Sequence, residues 1–318
     1  MTALPDFDSV RQAARLIQPY VHRTPVLTCS SLDDLASAEL YFKCENFQKV
    51  GAFKFRGACN AVFSLSDEEA NRGVATHSSG NHAAALALAA RLRGVPAYVV
   101  MPSNSSRAKV AAVAGYGAQI SYCEPTGPGR QQTMAPVLEK TGAAFIHPSN
   151  DPLVIAGQGT ATLELLGEVP GLDLVMAPVG GGGLLSGTAL AVHGLSPQTR
   201  VIAAEPEGAD DAYRSLREGR IVPSLNPQTV ADGLLTSLGD NTFPIIQRHV
   251  EQIVTVSEGA IVAAMRHVWE RMKIVIEPSA AVPVGALLEK KVDLSGLRIG
   301  IILSGGNVDL EKLPWTNP

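Results

Sequence analysis

Between residues 73 and 146, short apolar runs alternate with helical spacings, and no other feature constrains the fold as tightly. Gly73-Val74-Ala75-Thr76, Ala97-Tyr98-Val99-Val100-Met101, Gln119-Ile120-Ser121-Tyr122 and Ala144-Phe145-Ile146 read as strands, with helices predicted over 82–93, 106–115 and 130–141 between them. Strands separated by a helix return parallel, so the pattern implies a parallel sheet with helices on both faces. The second half repeats the theme. Helix 157–168, strand 172–179, helix 184–193, strand 200–204, helix 258–272 and strand 298–303 follow in order. Ahead of the alternation lie a helix over 9–18 behind Asp8, a turn at His22-Arg23-Thr24-Pro25, a strand over 40–45 and a helix-like run at 58–63. The stretch 205–257, rich in Pro, Gly and Asp, is expected to be irregular and to carry an interface.

Size and charge narrow the function. At 318 residues the chain is long enough for two domains. It is 46% hydrophobic and 18% charged, as an ordinary globular protein is. The net charge is −4 and no basic run occurs, which argues against a nucleic-acid partner. Cys29, Cys44, Cys59 and Cys123 are far apart with no CxxC pair, so neither zinc nor a disulfide framework is suggested. The first residues carry no basic and apolar leader, and no apolar run is long enough to cross a bilayer. A cytoplasmic protein without membrane contact is expected.

Four stretches carry candidate chemistry. Lys54 stands between two aromatics in Gly51-Ala52-Phe53-Lys54-Phe55-Arg56-Gly57-Ala58. A lone lysine is usually a surface charge, but a desolvated one has a depressed pKa and can attack a carbonyl. His77-Ser78-Ser79-Gly80-Asn81-His82 lies between a strand and a helix, where free N–H groups suit a carboxylate. Ser and Asn there are equally ordinary caps. Gly180-Gly181-Gly182-Gly183-Leu184-Leu185-Ser186-Gly187 joins a strand to a helix, and four glycines let backbone N–H groups approach a phosphate. A GxGxxG register fails at Leu185 or Ser186, although Glu205 after the next strand keeps a dinucleotide reading open. A P-loop fails because Thr188 stands where its lysine must be. Ser304, in Ile301-Ile302-Leu303-Ser304-Gly305-Gly306-Asn307, ends a strand at the edge where open α/β sheets bind ligands.

A reactive lysine, a carboxylate-binding helix start, a phosphate cup and a polar strand end together describe a pyridoxal-phosphate site. These four motifs resemble the fold type II pyridoxal-phosphate enzymes, and among them the serine racemase and serine/threonine dehydratase branch. The resemblance runs from Arg23-Thr24-Pro25-Val26-Leu27 to Asn307-Val308-Asp309-Leu310, and takes in Ile155-Ala156-Gly157-Gln158-Gly159-Thr160 and Ile276-Glu277-Pro278-Ser279. It implies an α/β fold of two open twisted, mostly parallel sheets flanked by helices, as in the tryptophan synthase β subunit. Residues 1–72 with 147–318 would form a large cofactor-binding domain and 73–146 a small one. A homodimer is also implied.

The resemblance assigns roles. Lys54 would carry the cofactor and take the Cα proton. Phe53 would pack on the pyridine ring, Asn81 would bond its phenolic oxygen, and Ser304 would face its nitrogen. Gly180, Gly181, Gly182, Gly183 and Leu184 would hold the phosphate. Ser78, Asn81 and His82 would lie by the substrate carboxylate, with Ser79 opposite Lys54 as a second acid/base group. Arg130 would approach substrate in closed forms, though a surface charge is the commoner reading of such an arginine. Glu205, the Ala209 carbonyl and Asp211 would hold Mg²⁺ or Ca²⁺, in what could otherwise be a solvated acidic loop.

The implied reaction converts a 3-hydroxy amino acid to a 2-oxo acid and ammonia, with amino-acid racemisation beside it or as the main activity. A cysteine synthase-like β-replacement is a second reading, and a non-catalytic nucleotide-binding protein a third. The chain departs from the branch in two places. Ala83-Ala84-Ala85 follows His82 where Gly-Gln-Ala is commoner, and Ser149 stands where an Asn commonly lines the pocket. Beside serine and threonine, both leave open another substrate, such as a 3-hydroxyaspartate or a bulkier β-hydroxy amino acid. The end at Pro318 leaves no room for a regulatory domain, so no inhibition by isoleucine is expected.

Overall fold

The computed structural model describes residues 4–78, 80–105 and 107–315. Its elements run α1 (Phe7–Ile17), β1 (Val26–Leu27), α2 (Ser30–Ala36), β2 (Glu39–Cys44), α3 (Lys54–Ser64) and α4 (Asp67–Asn71). Then come β3 (Val74–His77), α5 (Asn81–Arg93), β4 (Ala97–Pro102), α6 (Arg107–Gly115), β5 (Gln119–Cys123), α7 (Gly127–Thr141) and β6 (Ala144–Phe145). The remainder is α8 (Pro152–Glu168), β7 (Leu174–Pro178), α9 (Gly183–Leu195), β8 (Arg200–Pro206), α10 (Asp211–Glu218), α11 (Thr242–His249), β9 (Gln252–Val256), α12 (Glu258–Met272), α13 (Pro278–Leu288) and β10 (Arg298–Leu303).

Two sheets result, as the alternation requires. A six-stranded sheet has the order β1-β2-β10-β7-β8-β9, and a four-stranded sheet has the order β5-β4-β3-β6. Every pairing is parallel except that of the short edge strand β1 with β2. Successive side chains of the large sheet point to opposite faces and feed two cores. Leu174, Met176, Ile202, Ile299 and Ile301 face α12 and α13, while Val175, Ala177, Val201 and Ala203 face α8 and α9. Burying both faces removes any polar alternation, which is why these strands read as unbroken apolar runs.

The stretch 205–257 corrects the expectation of irregularity. It holds α10, α11 and β9, and β9 pairs with β8 from Ile202–Gln252 to Pro206–Val256. Residues 219–241 do lack long elements. Helix α13 was not anticipated either, because Pro283 interrupts its pattern. Burial of nearly the whole helix against the large sheet outweighs that lost backbone bond.

The lysine-bearing helix α3 is pinned by buried charges. Arg56 donates to Glu45 Oε2 at 2.7 Å and Oε1 at 2.9 Å, and to Glu164 Oε1 at 2.8 Å and Oε2 at 2.9 Å. Lys43 donates to Glu164 Oε2 and to the Thr24 carbonyl, both at 2.7 Å. Arg56, Lys43 and Glu45 are fully buried, so the pairing compensates their desolvation.

Candidate active site

The carboxyl ends of β2, β7 and β10 lie along one edge of the large sheet, and β10 runs in register with β2 from Arg298–Glu39 to Leu303–Cys44. A cavity of about 370 Å³ opens there, and the start of α5, just beyond β3, forms its facing wall. Its lining brings together Phe53, Lys54, Ser78, Asn81, His82, Arg130, Gly180, Gly181, Gly182, Gly183, Leu184 and Ser304. Ser79, expected opposite Lys54, lies outside the described residues.

Lys54 is the first residue of α3, four residues earlier than the helix-like run suggested. Phe53 N–H donates to the Ser304 carbonyl at 3.0 Å and Ala52 bridges Gly305, so the segment entering α3 is clamped to the end of β10. Lys54 Nζ donates to the Pro148 carbonyl at 2.8 Å and sits 5.1 Å from the Phe53 ring centre. The side chain keeps some surface open to the cavity, yet protein surrounds its ammonium. Burial therefore lowers its pKa to about 8, against a smaller opposing pull from the Glu277 carboxylate. A lysine held this way is not a surface charge, and a depressed pKa is what a nucleophile or proton carrier needs.

The glycine turn is a cradle that no side chain could share. A Cβ on Gly180 would lie 2.8 Å from Leu234 Cα, and one on Gly181 would lie 2.4 Å from Ser149 Oγ. Gly182 caps α9 at φ +83°, and no side chain closes the first-turn N–H groups of that helix. Gly183, Leu184 and Leu185 of this turn line the cavity. An amine at the floor and uncapped amides at a helix start, in one cavity, fit pyridoxal phosphate.

Helix α5 also starts without a side-chain cap, at Gly80. Asn81 does not cap the helix; its Nδ2 donates to Glu277 Oε1 at 2.9 Å and Oε2 at 3.1 Å. Burial raises Glu277 to about 7, partly offset by the Asn81 bond. His82 is 2% exposed and neither ring nitrogen has a hydrogen-bond partner. Burial first, and then Lys54 beside it, hold its pKa well below the usual value. His147, whose Nδ1 accepts from the Ser149 and Asn150 amides, is pushed down to about 4 chiefly by burial. Arg130, on α7, is half-buried and lines the cavity near His77, and its Nε is buried without a partner.

Glu205, Ala209 and Asp211 are buried together between β8 and α10. Glu205 accepts from the Ala212 and Tyr213 amides at 2.9 and 2.8 Å, and it does not line the cavity. Both Asp211 oxygens are buried without a partner. Burial raises Glu205 to about 9 and Asp211 to about 6. Two desolvated carboxylates with open lone pairs fit a hard cation. Among the described residues no group of three or more His, Cys, Asp or Glu side chains is gathered for a metal.

Sequence reasoning gave Glu277 and Asn307 no role, and gave none to His147. Each sits inside a stretch that the resemblance covers or that was singled out, but only contacts across the fold show what it touches.

A family profile described as "Pyridoxal-phosphate dependent enzyme" matches residues 17–305. The beta-hydroxyaspartate dehydratase of Paracoccus denitrificans is 53% identical, over 98% of this chain and 99% of the relative. The L-threo-3-hydroxyaspartate ammonia-lyase of Saccharomyces cerevisiae is 49% identical, over 97% of this chain and 95% of the relative. The crystal structure of serine racemase from Dictyostelium discoideum superposes with a TM-score of 0.93 at 49% identity, covering 97% of this chain and 100% of that one.

Proposed function

Because the chain belongs to the fold type II pyridoxal-phosphate dependent enzymes, in the serine racemase and dehydratase branch, we propose that it is a dehydratase of 3-hydroxyaspartate. The products are a 2-oxo acid and ammonia, and racemisation at Cα is its second activity. The observation that carries the cofactor assignment is the meeting of Lys54 Nζ, the glycine cradle and the uncapped start of α5 in one cavity.

Pyridoxal phosphate, when bound, supplies the electron withdrawal that makes the Cα proton acidic. Lys54 would hold the cofactor and serve as the base for the Cα proton. Gly180, Gly181, Gly182, Gly183 and Leu184 would bind its phosphate through backbone N–H groups. Asn81 and Phe53 would hold its ring, and Ser304 would offer the ring nitrogen a hydroxyl rather than a carboxylate. Ser78, Asn81 and His82 would bind the substrate's α-carboxylate, and Ser79 would be the second acid/base group. Acid/base placement of this kind contributes on the order of 10²–10⁴-fold.

The diacid substrate is supported by the wall around Arg130. Its unpartnered Nε, with the His77 and His147 rings 5.7 Å apart beside it, offers cationic and hydrogen-bonding partners for a second carboxylate. Two relatives bear the names of hydroxyaspartate enzymes. We also assign Glu205, the Ala209 carbonyl and Asp211 to a divalent cation, Mg²⁺ or Ca²⁺. Residues 73–146 form the smaller of two domains in this reading, and the Lys109–Asp232 ion pair, at 2.5 Å, spans them at the cavity mouth. The protein is read as a cytoplasmic homodimer; among the described residues no helix is long and apolar enough to cross a membrane.

The test is 2-oxo acid and ammonia release from the 3-hydroxyaspartates, L- and D-serine, L- and D-threonine and phenylserine. Preferential turnover of a 3-hydroxyaspartate, lost selectively in Arg130→Ala, supports the reading. Equal or better turnover of serine or threonine refutes the diacid preference.

A further inference from the structure

We infer that Asn307 is a positioning residue whose carboxamide fixes both the turn leading into Lys54 and the orientation of the Asn81 amide. The inference rests on the cofactor placement proposed above.

Asn307 lies four residues beyond the end of β10 and joins three remote segments. Its Nδ2 carries two hydrogens and meets two acceptors, the Val50 carbonyl at 2.7 Å and Asn81 Oδ1 at 2.9 Å. Its backbone N–H donates to Glu277 Oε2 at 3.2 Å. Asn81 is thereby bound on both sides of its amide: Oδ1 accepts from Asn307 and Nδ2 donates to Glu277. A flipped Asn81 would set its oxygen against the Glu277 carboxylate and its NH₂ against that of Asn307. Only one orientation is compatible with both neighbours. One Nδ2 hydrogen bridging the two Glu277 oxygens would leave the other for the phenolic oxygen of the cofactor.

The second contact addresses backbone strain. Val50 adopts φ 58° and ψ 13°, and among the described residues it is the only β-branched one at positive φ. That conformation is unfavourable for a β-branched side chain and persists only when its surroundings enforce it. Asn307 Nδ2 holds the Val50 carbonyl, and Gly306 N–H holds the Gly51 carbonyl at 2.9 Å. Gly51 itself sits at φ +69°, and a Cβ there would lie 2.6 Å from Asn307 Oδ1. The turn is thus closed from the Asn307 side, and three residues after Gly51 comes Lys54. One side chain couples the residue that holds the cofactor to the residue that bonds its phenolic oxygen.

The test uses the full chain with Asn307→Ala, Asn307→Asp, and Asn307→Ala combined with Val50→Gly. The readouts are the melting temperature of the cofactor-free protein, the affinity for pyridoxal phosphate, and the visible absorption spectrum of the bound cofactor. Asn307→Ala is expected to weaken cofactor binding about tenfold, the worth of one or two hydrogen bonds, and to shift the visible band. Asn307→Asp keeps the shape but opposes carboxylate oxygen to two acceptors, so its spectral shift is expected to be the larger. Val50→Gly removes the steric penalty of the turn and is expected to restore part of the affinity lost in Asn307→Ala. Wild-type spectra and affinities in both single variants would overturn the inference, as would an altered affinity with an unaltered spectrum. No recovery on adding Val50→Gly would overturn the strained-turn half of it. Borohydride reduction of the wild type separates the two levels. If it fixes no cofactor to Lys54, the placement itself fails. If it does and the variants match the wild type, only the role of Asn307 fails.

Discussion

Asn81 Nδ2 contacts both oxygens of Glu277, at 2.9 and 3.1 Å, and the Glu277 carboxylate lies near enough to Lys54 to raise its proton affinity. The start of α5, the entry to α13 and the start of α3 are therefore electrostatically linked across the cavity.

That link sets a pH dependence. The free amine of Lys54 is the form that attacks the cofactor carbonyl, and burial lowers its pKa from 10.5 to about 8. Attachment of pyridoxal phosphate to the cofactor-free protein should accelerate with rising pH and level off above about 8. Glu277→Gln removes a charge that favours the protonated lysine, so the break should move to lower pH. The rate at which the visible band returns, measured from acid to alkaline pH, checks this. A break that stays in place, or moves up, would show that Glu277 does not act on Lys54.

Arg56 compensates two carboxylates at once. Arg56→Ala leaves Glu45 and Glu164 without their shared partner, and breaking a buried pair costs roughly 3–5 kcal/mol. Arg56→Lys keeps the charge but loses the forked donor geometry and should cost less than the alanine change. Urea unfolding of the cofactor-free protein would measure both, and a loss well under about 1 kcal/mol in Arg56→Ala would contradict the network's role.

For the acidic site, chelation should lower the melting temperature and excess Mg²⁺ or Ca²⁺ should restore it. Asp211→Asn should abolish the response, because both oxygens of Asp211 are buried and unpartnered where the cation would sit. An identical melting temperature with and without chelator would show that no cation is held there.

The fold was legible wherever hydrophobic period and element length agreed. Strands β3, β4, β5, β7, β8 and β10 all lie where short apolar runs were read. Helix α13 hid behind Pro283, and β9 behind a Pro- and Gly-rich approach, because the energy that forms them comes from covering the large sheet. The site was legible as four separate motifs, since glycines at a turn and a lysine between aromatics are local signals. What the motifs touch was not. Arg130 reads as a surface charge until α7 carries it to the cavity wall, and Glu277 and Asn307 gain meaning only through Asn81, far away in the chain. In the sequence Arg56 shows only its place beside Lys54, because its partner Glu164 lies 108 residues on.

Everything proposed for the reaction depends on Lys54 holding pyridoxal phosphate and acting as the base. Borohydride reduction of the coloured protein, followed by proteolysis and peptide mass analysis, shows where the cofactor is held. A reduced pyridoxyl group is expected on the peptide containing Lys54 alone, with 2-oxo acid release abolished by reduction and by Lys54→Ala. A cofactor fixed to another lysine, or 2-oxo acid release that survives in Lys54→Ala, would contradict it.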